Sequence, residues 1–314
     1  MTRFAAVHAA LLALFSVSCS ASGPSQAGPG PPQPESQPTR QQMRVNDVRL
    51  SYVAQGTGPP VVFVHGAFSD ERYWEPQREA IAEEYRFIAV TNRYHGTGAW
   101  PDDGQQYGAA THAADLAAFV RGLNAGPVHL LGFSAGGVLA TLLASEHPDL
   151  VRSLILVEPA IGGLLTADVS EAKPVLDDRV ATLTAVGTAA DAGNMAQAAG
   201  LFFDWVNNRG PDALDAQPEP VRRMWLDNAR TVPLVLAAPP PPPISCAGLA
   251  ELKVPTLVVG GAQTRRYFSL IEEIVVRCVP GSRSVVIPDA THFSSYTNPS
   301  AFNASVLEFV DGLG

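Results

Sequence analysis

Gly132-Phe133-Ser134-Ala135-Gly136 directly follows the largely apolar run Val128-His129-Leu130-Leu131 and opens the small-residue segment 137–145. That succession predicts a strand, a sharp turn and a helix, with Ser134 at the turn. A turn of this kind forces its central residue into strained backbone geometry and presses its neighbours together. Glycines two residues before and two after Ser134 supply the room. The framing strand and helix, more than the G-x-S-x-G match itself, mark Ser134 as a candidate nucleophile.

Outward from this point the chain alternates strand and helix signals. Residues 48–54 and 60–65 read as strands, 75–85 as a helix and 86–91 as a strand. The pattern repeats as a helix over 109–123, a strand over 128–131 and a helix over 134–147. Pro148 ends that helix, and 151–157 is a continuous apolar run of the kind needed by a strand covered on both faces. The class is α/β, a mostly parallel central sheet flanked by helices, with active residues expected at strand C-terminal ends. The first core segment spans 44–160. After Pro159 the alternation lapses, and 161–248, with its Leu201-Phe202-Phe203-Asp204-Trp205 cluster, Met224-Trp225 and the 239–243 proline run, reads as a helical cap. Its aromatics either form the cap's own core or face an apolar substrate. The proline run reads as a stiff return linker. The second core segment, 249–314, resumes with strands over 256–259 and 284–287.

The N-terminus bears on address. Residues 1–18 combine an early arginine with an apolar run and read as an export signal, too short to span a membrane. Phe15-Ser16-Val17-Ser18-Cys19 resembles a bacterial lipoprotein cleavage site with Cys19 as the lipidated residue, although Ser16 stands where leucine is usual. The expected location is the cell envelope, as a lipoprotein or as a secreted or periplasmic protein. Residues 19–43, rich in Pro, Gly, Ser and Gln, read as a tether with little apolar surface to offset ordering. The formal charge of −9 argues against a nucleic-acid partner. Cys246 and Cys278 lie shortly before the strands at 256 and 284, which puts both near one sheet edge; export permits a disulfide between them. Two cysteines without further ligand spacing make no metal site.

His65-Gly66-Ala67 after an early strand, Arg93-Tyr94-His95-Gly96-Thr97-Gly98 after the next, the Ser134 turn and Ala290-Thr291-His292 near the end together carry a family likeness. Over residues 45–313 the chain resembles the α/β-hydrolase superfamily, particularly its capped esterase, C–C hydrolase, dehalogenase and epoxide-hydrolase branches. The resemblance implies an α/β-hydrolase fold with a helical cap. It also implies an oxyanion hole from the backbone N–H groups of Ala67 and Ala135, aimed at charge developing on a substrate carbonyl oxygen.

His292, just past the last strand, is the candidate general base, because an imidazole titrates near neutrality and can take the Ser134 proton and return it. The acid departs from the common pattern. Many relatives carry an aspartate after the strand matching 256–259, but Gly260-Gly261-Ala262-Gln263-Thr264 has no carboxylate. Glu158, directly after the 151–157 strand, occupies an alternative location used in some branches and is the candidate acid. The competing reading of Glu158 is a structural carboxylate, paired with Arg93 or capping a helix. Asp289 shares the loop of His292, and Thr264 cannot supply an anion. The expected activity is serine hydrolysis of carboxylic esters of small, partly apolar substrates through an acyl-enzyme, without a cofactor, by a monomer. Serine at the turn argues against dehalogenase and ordinary epoxide-hydrolase chemistry, which use a carboxylate nucleophile. Hydrolysis of a C–C bond is an alternative on the same scaffold, and a catalytically inactive envelope binding protein is another.

Overall fold

The computed structural model describes residues 40–314. The export signal, Cys19 and most of the expected tether lie outside the described residues. In chain order the elements are β1 (Gln41–Val45), β2 (Val48–Gln55), β3 (Pro60–Val64), α1 (Glu75–Ala82), β4 (Arg86–Val90), α2 (Ala109–Gly122), β5 (Val128–Phe133), α3 (Ala135–Glu146) and β6 (Val151–Val157). Five helices follow: α4 (Ala172–Asp191), α5 (Met195–Val206), α6 (Glu219–Asn228), α7 (Val232–Ala237) and α8 (Cys246–Ala250). The chain then returns through β7 (Thr256–Gly261), α9 (Arg266–Cys278), β8 (Arg283–Ile287), α10 (Ser294–Thr297) and α11 (Pro299–Asp311).

The strands form one sheet in the order β1-β2-β4-β3-β5-β6-β7-β8. Pairings from β4 to β8 are parallel, whereas β1 with β2 and β2 with β4 are antiparallel. Strands β3, β5 and β7 are buried along their whole length, as expected for parallel strands with helices on both faces. Their C-terminal ends lie on one side of the sheet, and from that side emerge the loops carrying His65, Ser134, Glu158 and Thr264.

One boundary is corrected. Gln41, Gln42 and Met43, assigned to the tether, belong to β1, with Gln41 opposite Tyr52 and Met43 opposite Leu50. An edge strand is held by backbone hydrogen bonds and needs few apolar side chains. Here a polar side chain adds to the pairing, because the Tyr52 hydroxyl donates to Gln41 Oε1 at 2.7 Å. Composition therefore reads this segment as linker.

Cys246 opens α8 and Cys278 closes α9, two helices in contact, and the two sulfurs form a disulfide. The crosslink joins the last helix of the inserted segment to the helix between β7 and β8.

Candidate active site

Ser134 follows the last residue of β5 and caps α3 with φ 53° and ψ −117°, a conformation that L-residues rarely adopt outside strained turns. Its amide donates to Val157 O at 2.9 Å, and its carbonyl accepts from Gly137 and Ala160. The turn therefore rests on the end of β6. The flanking glycines are sterically required: a Cβ on Gly136 would lie 2.5 Å from His65 O and Val64 O, and one on Gly132 2.4 Å from Gly136 O. A Cβ on Gly66 would come within 3.0 Å of the Ser134 Cβ, so the 65–67 loop packs directly against the serine. Ala67, Ser134 and Ala135 line one cavity of about 560 Å³. Ala135 opens α3, where the first amides have no acceptor inside the helix.

Glu158 is fully buried, with φ 46°, and its own amide donates to Val259 O. Its carboxylate has three donors. Gly261 N–H reaches Oε1 at 2.6 Å, the Thr264 hydroxyl donates to Oε2, and His292 Nδ1 lies 2.9 Å from Oε2. A carboxylate only accepts, so Nδ1 carries a proton, and in the neutral imidazole it is Nε2 that holds the lone pair. The loop after β7, which lacks an acid, thus supplies the hydroxyl and amide that hold an acid arriving from β6. Arg93 pairs with Asp115 and Asp47 and forms no ion pair with Glu158. Asp289 makes no bond to His292.

His292 is 1% exposed. Its ring stacks on Phe268 with centroids 3.8 Å apart and an interplanar angle of 26°, and it packs against Phe133 at 4.7 Å. Thr291 donates to Asn207 Oδ1 at 3.0 Å and ties the histidine loop to the residue after α5. Neither Phe268 nor Asn207 carries a sequence signal for this duty, which arises from the packing of α5 and α9. Behind Glu158 sits a second carboxyl, Glu272, whose Oε1 is buried without a partner among the described residues. Burial, reinforced by Glu158 and Glu273, pushes Glu272 well above the usual carboxylate range and favours its protonated form.

The inserted helices roof the cavity. Phe202 and Trp205 line it together with Pro239, Pro240 and Pro241, whereas Phe203, Met224 and Trp225 are buried among the helices. The proline run is therefore a cavity wall as well as a return segment. Three buried histidines border the floor. His65 accepts from Asn92 N–H at Nε2, so its Nδ1–H donates to Gly66 O. His95 Nδ1 lies 3.0 Å from Ser69 O, and His112 Nε2 has no partner among the described residues. Burial holds all three below the ordinary imidazole range, His112 at about 3. Among the described residues no cluster of three or more His, Cys, Asp or Glu side chains is placed to hold a metal ion. No described helix is long and apolar enough to cross a membrane.

Comparison with known proteins agrees with this architecture. The chain is 26% identical over 275 residues to pyrrolizixenacetamide deacetylase of Xenorhabdus hominickii, covering 85% of this chain and 97% of that relative. It is 32% identical over 114 residues to 2-(acetamidomethylene)succinate hydrolase of Mesorhizobium japonicum, but that match spans 36% of this chain and 40% of the relative. Among solved structures, carboxylesterase CesB (YbfK) from Bacillus subtilis superimposes with a TM-score of 0.71 at 18% identity, covering 88% of this chain and 93% of that one. At that identity the superposition speaks for the fold alone. A family model described as "Alpha/beta hydrolase family" matches residues 61–305. With its strand order, its strained serine turn and this match over most of its length, the chain belongs to the alpha/beta hydrolase family.

Proposed function

We propose that the protein is a serine hydrolase that cleaves carboxylic esters through an acyl-enzyme, with Ser134 as nucleophile, His292 as general base and Glu158 as the acid that orients it. The observation that carries this reading is the buried His292–Glu158 contact of 2.9 Å, made while Glu158 is held by Gly261 and Thr264. A carboxylate on Nδ1 fixes the tautomer whose Nε2 accepts a proton and stabilises the imidazolium formed when it does. The Ser134 Oγ–carbonyl bond forms as the hydroxyl proton passes to His292. The N–H groups of Ala67 and Ala135 face the resulting oxyanion, and the ester C–O bond breaks as the proton goes to the departing alcohol. Water, deprotonated by the same imidazole, then attacks the acyl carbon, the acyl–Oγ bond breaks, and the proton returns to Ser134 Oγ as the acid leaves. The whole-length similarity to a deacetylase is consistent with acyl transfer, and the largely apolar wall suits a small, partly apolar acyl group.

The test is turnover of p-nitrophenyl esters of increasing acyl length by the parent, Ser134→Ala and Glu158→Gln proteins, each checked for folding. The reading expects hydrolysis by the parent, none above background for Ser134→Ala, and a strongly reduced kcat for Glu158→Gln. Undiminished turnover by Ser134→Ala would overturn it. The export signal and Cys19 lipidation belong to the same proposal as an address, and radiolabelled palmitate incorporation that is lost in Cys19→Ser would support it.

A further inference from the structure

Among the described residues, those lining the cavity next to Ser134 carry a single formal charge. Its wall is mostly hydrocarbon, from side chains such as Val138, Leu139, Phe202, Val235 and Leu236, and it contains no Asp or Glu. The three histidines that border it are held neutral at pH 7 by burial. The exception is Arg179, half-buried on α4.

Arg179 has no carboxylate partner among the described residues. The adjacent Asp178 is already used, accepting from Trp205 Nε1 and Arg265 Nη1, both at 2.7 Å. The two other arginines at this edge are also paired, Arg265 with Asp178 and Arg266 with Glu171 and Glu273. The Arg179 guanidinium instead lies 5.7 Å from the Tyr267 ring centroid, a cation–π contact that positions the group while leaving its N–H fork free. A half-exposed guanidinium in a largely apolar wall, without a carboxylate partner among the described residues, offers an incoming carboxylate two parallel hydrogen bonds. Because the protein as a whole carries −9, long-range attraction does not favour anions. Any preference for one must come from a local contact such as this.

We propose that the cavity is built for esters of dicarboxylic acids: one carboxyl is esterified and presented to Ser134, and the other, ionised, is held by Arg179 across an apolar spacer. This inference rests on the serine-hydrolase reading and adds the substrate class. The reaction needs no co-reactant beyond water. The ester C–O bond breaks, the alcohol takes a proton, and the water oxygen ends in the released dicarboxylate.

The experiment compares two matched pairs of substrates, mono-p-nitrophenyl adipate with p-nitrophenyl hexanoate and mono-p-nitrophenyl suberate with p-nitrophenyl octanoate. The readout is the ratio of kcat/KM, anionic over neutral, for the parent, Arg179→Lys and Arg179→Gln proteins. The proposal expects a parent ratio above one in at least one pair, falling tenfold or more in Arg179→Gln and less in Arg179→Lys. A ratio unchanged by Arg179→Gln, with turnover of both esters intact, would overturn the proposal while leaving the serine-hydrolase reading in place. If the parent turned over none of the four, calorimetric titration of Ser134→Ala with monomethyl suberate would decide. Binding that disappears when Arg179→Gln is added supports the anion site, and no binding to Ser134→Ala sinks it.

Discussion

At the scale of the residue, the site depends on two backbone positions held at positive φ, Ser134 and Glu158, and on glycines that admit no side chain. Gly136→Ala would drive a methyl group to within 2.5 Å of two backbone carbonyl oxygens. We expect a loss of about 1–3 kcal/mol or more in urea unfolding, in the range of overpacked cores, because backbone cannot move aside as a flexible side chain can. Glu158→Gln keeps the shape and removes the anion. An amide cannot both accept from Thr264 and Gly261 and stabilise an imidazolium, so kcat should fall on the order of 10²- to 10⁴-fold, with KM little changed. These positions differ in how openly the sequence shows them. Ser134 announces itself by its glycines, and His292 and Glu158 by following strands. Thr264 reads as a hydroxyl able to make a hydrogen bond but not to supply an anion, and Glu158 is identified as its partner only when the β6 and β7 ends are side by side. Arg179 has no motif at all, since its distinction is that it has no carboxylate partner among the described residues.

Single polar side chains decide how the elements join. Asn228, ending α6, accepts from Gly96 N–H at 2.7 Å and donates to Asp70 Oδ2 at 2.7 Å, bridging the inserted helices to two loops of the core. Asn228→Ala strands the buried Gly96 N–H and removes one donor from Asp70, which keeps its pair with Arg72, so thermal or urea unfolding should show a loss of about 1–3 kcal/mol. Arg230 reinforces the same joint by donating to Gly96 O and Gly98 O. The disulfide spans 32 residues of sequence, and replacing both cysteines with serine should cost about 2–4 kcal/mol, read as a lower urea midpoint with an otherwise unchanged spectrum. Most strands and core helices are legible from apolar periodicity, because burial on both faces leaves little else for such runs to do. Two features are not legible. Strand β1 is polar at the sheet edge and is held through its backbone, and the proline run faces the cavity only because α7 delivers it there.

For the whole molecule, burial of neutral histidines contributes to how stability varies with pH. His112 is depressed from 6.5 to about 3 and His129 to about 4, both chiefly by burial. Between those values and 6.5 the unfolded chain binds protons that the folded chain refuses, so stability rises with pH through this window and is lost as pH falls below about 6.5. Each such histidine adds up to about 1.4 kcal/mol per pH unit to that slope. The difference in unfolding free energy between pH 7 and pH 5 should therefore shrink in His112→Gln. The parallel sheet sets the ends of β5 and β6 side by side, so that the Ser134 amide bonds to Val157 O, and it brings the loop after β8 to the end of β6, so that His292 meets Glu158 although these two stand 134 positions apart in the chain. The claim that Ser134 is an activated nucleophile served by Glu158 through His292 is tested most directly by the rate at which a fluorophosphonate labels the protein, with the modified residue identified by mass spectrometry. The account predicts stoichiometric labelling of Ser134 in the parent, slowed on the order of 10²-fold or more in a folded Glu158→Gln protein. A folded parent that takes up no label at Ser134, or a Glu158→Gln protein labelled as fast as the parent, would contradict it.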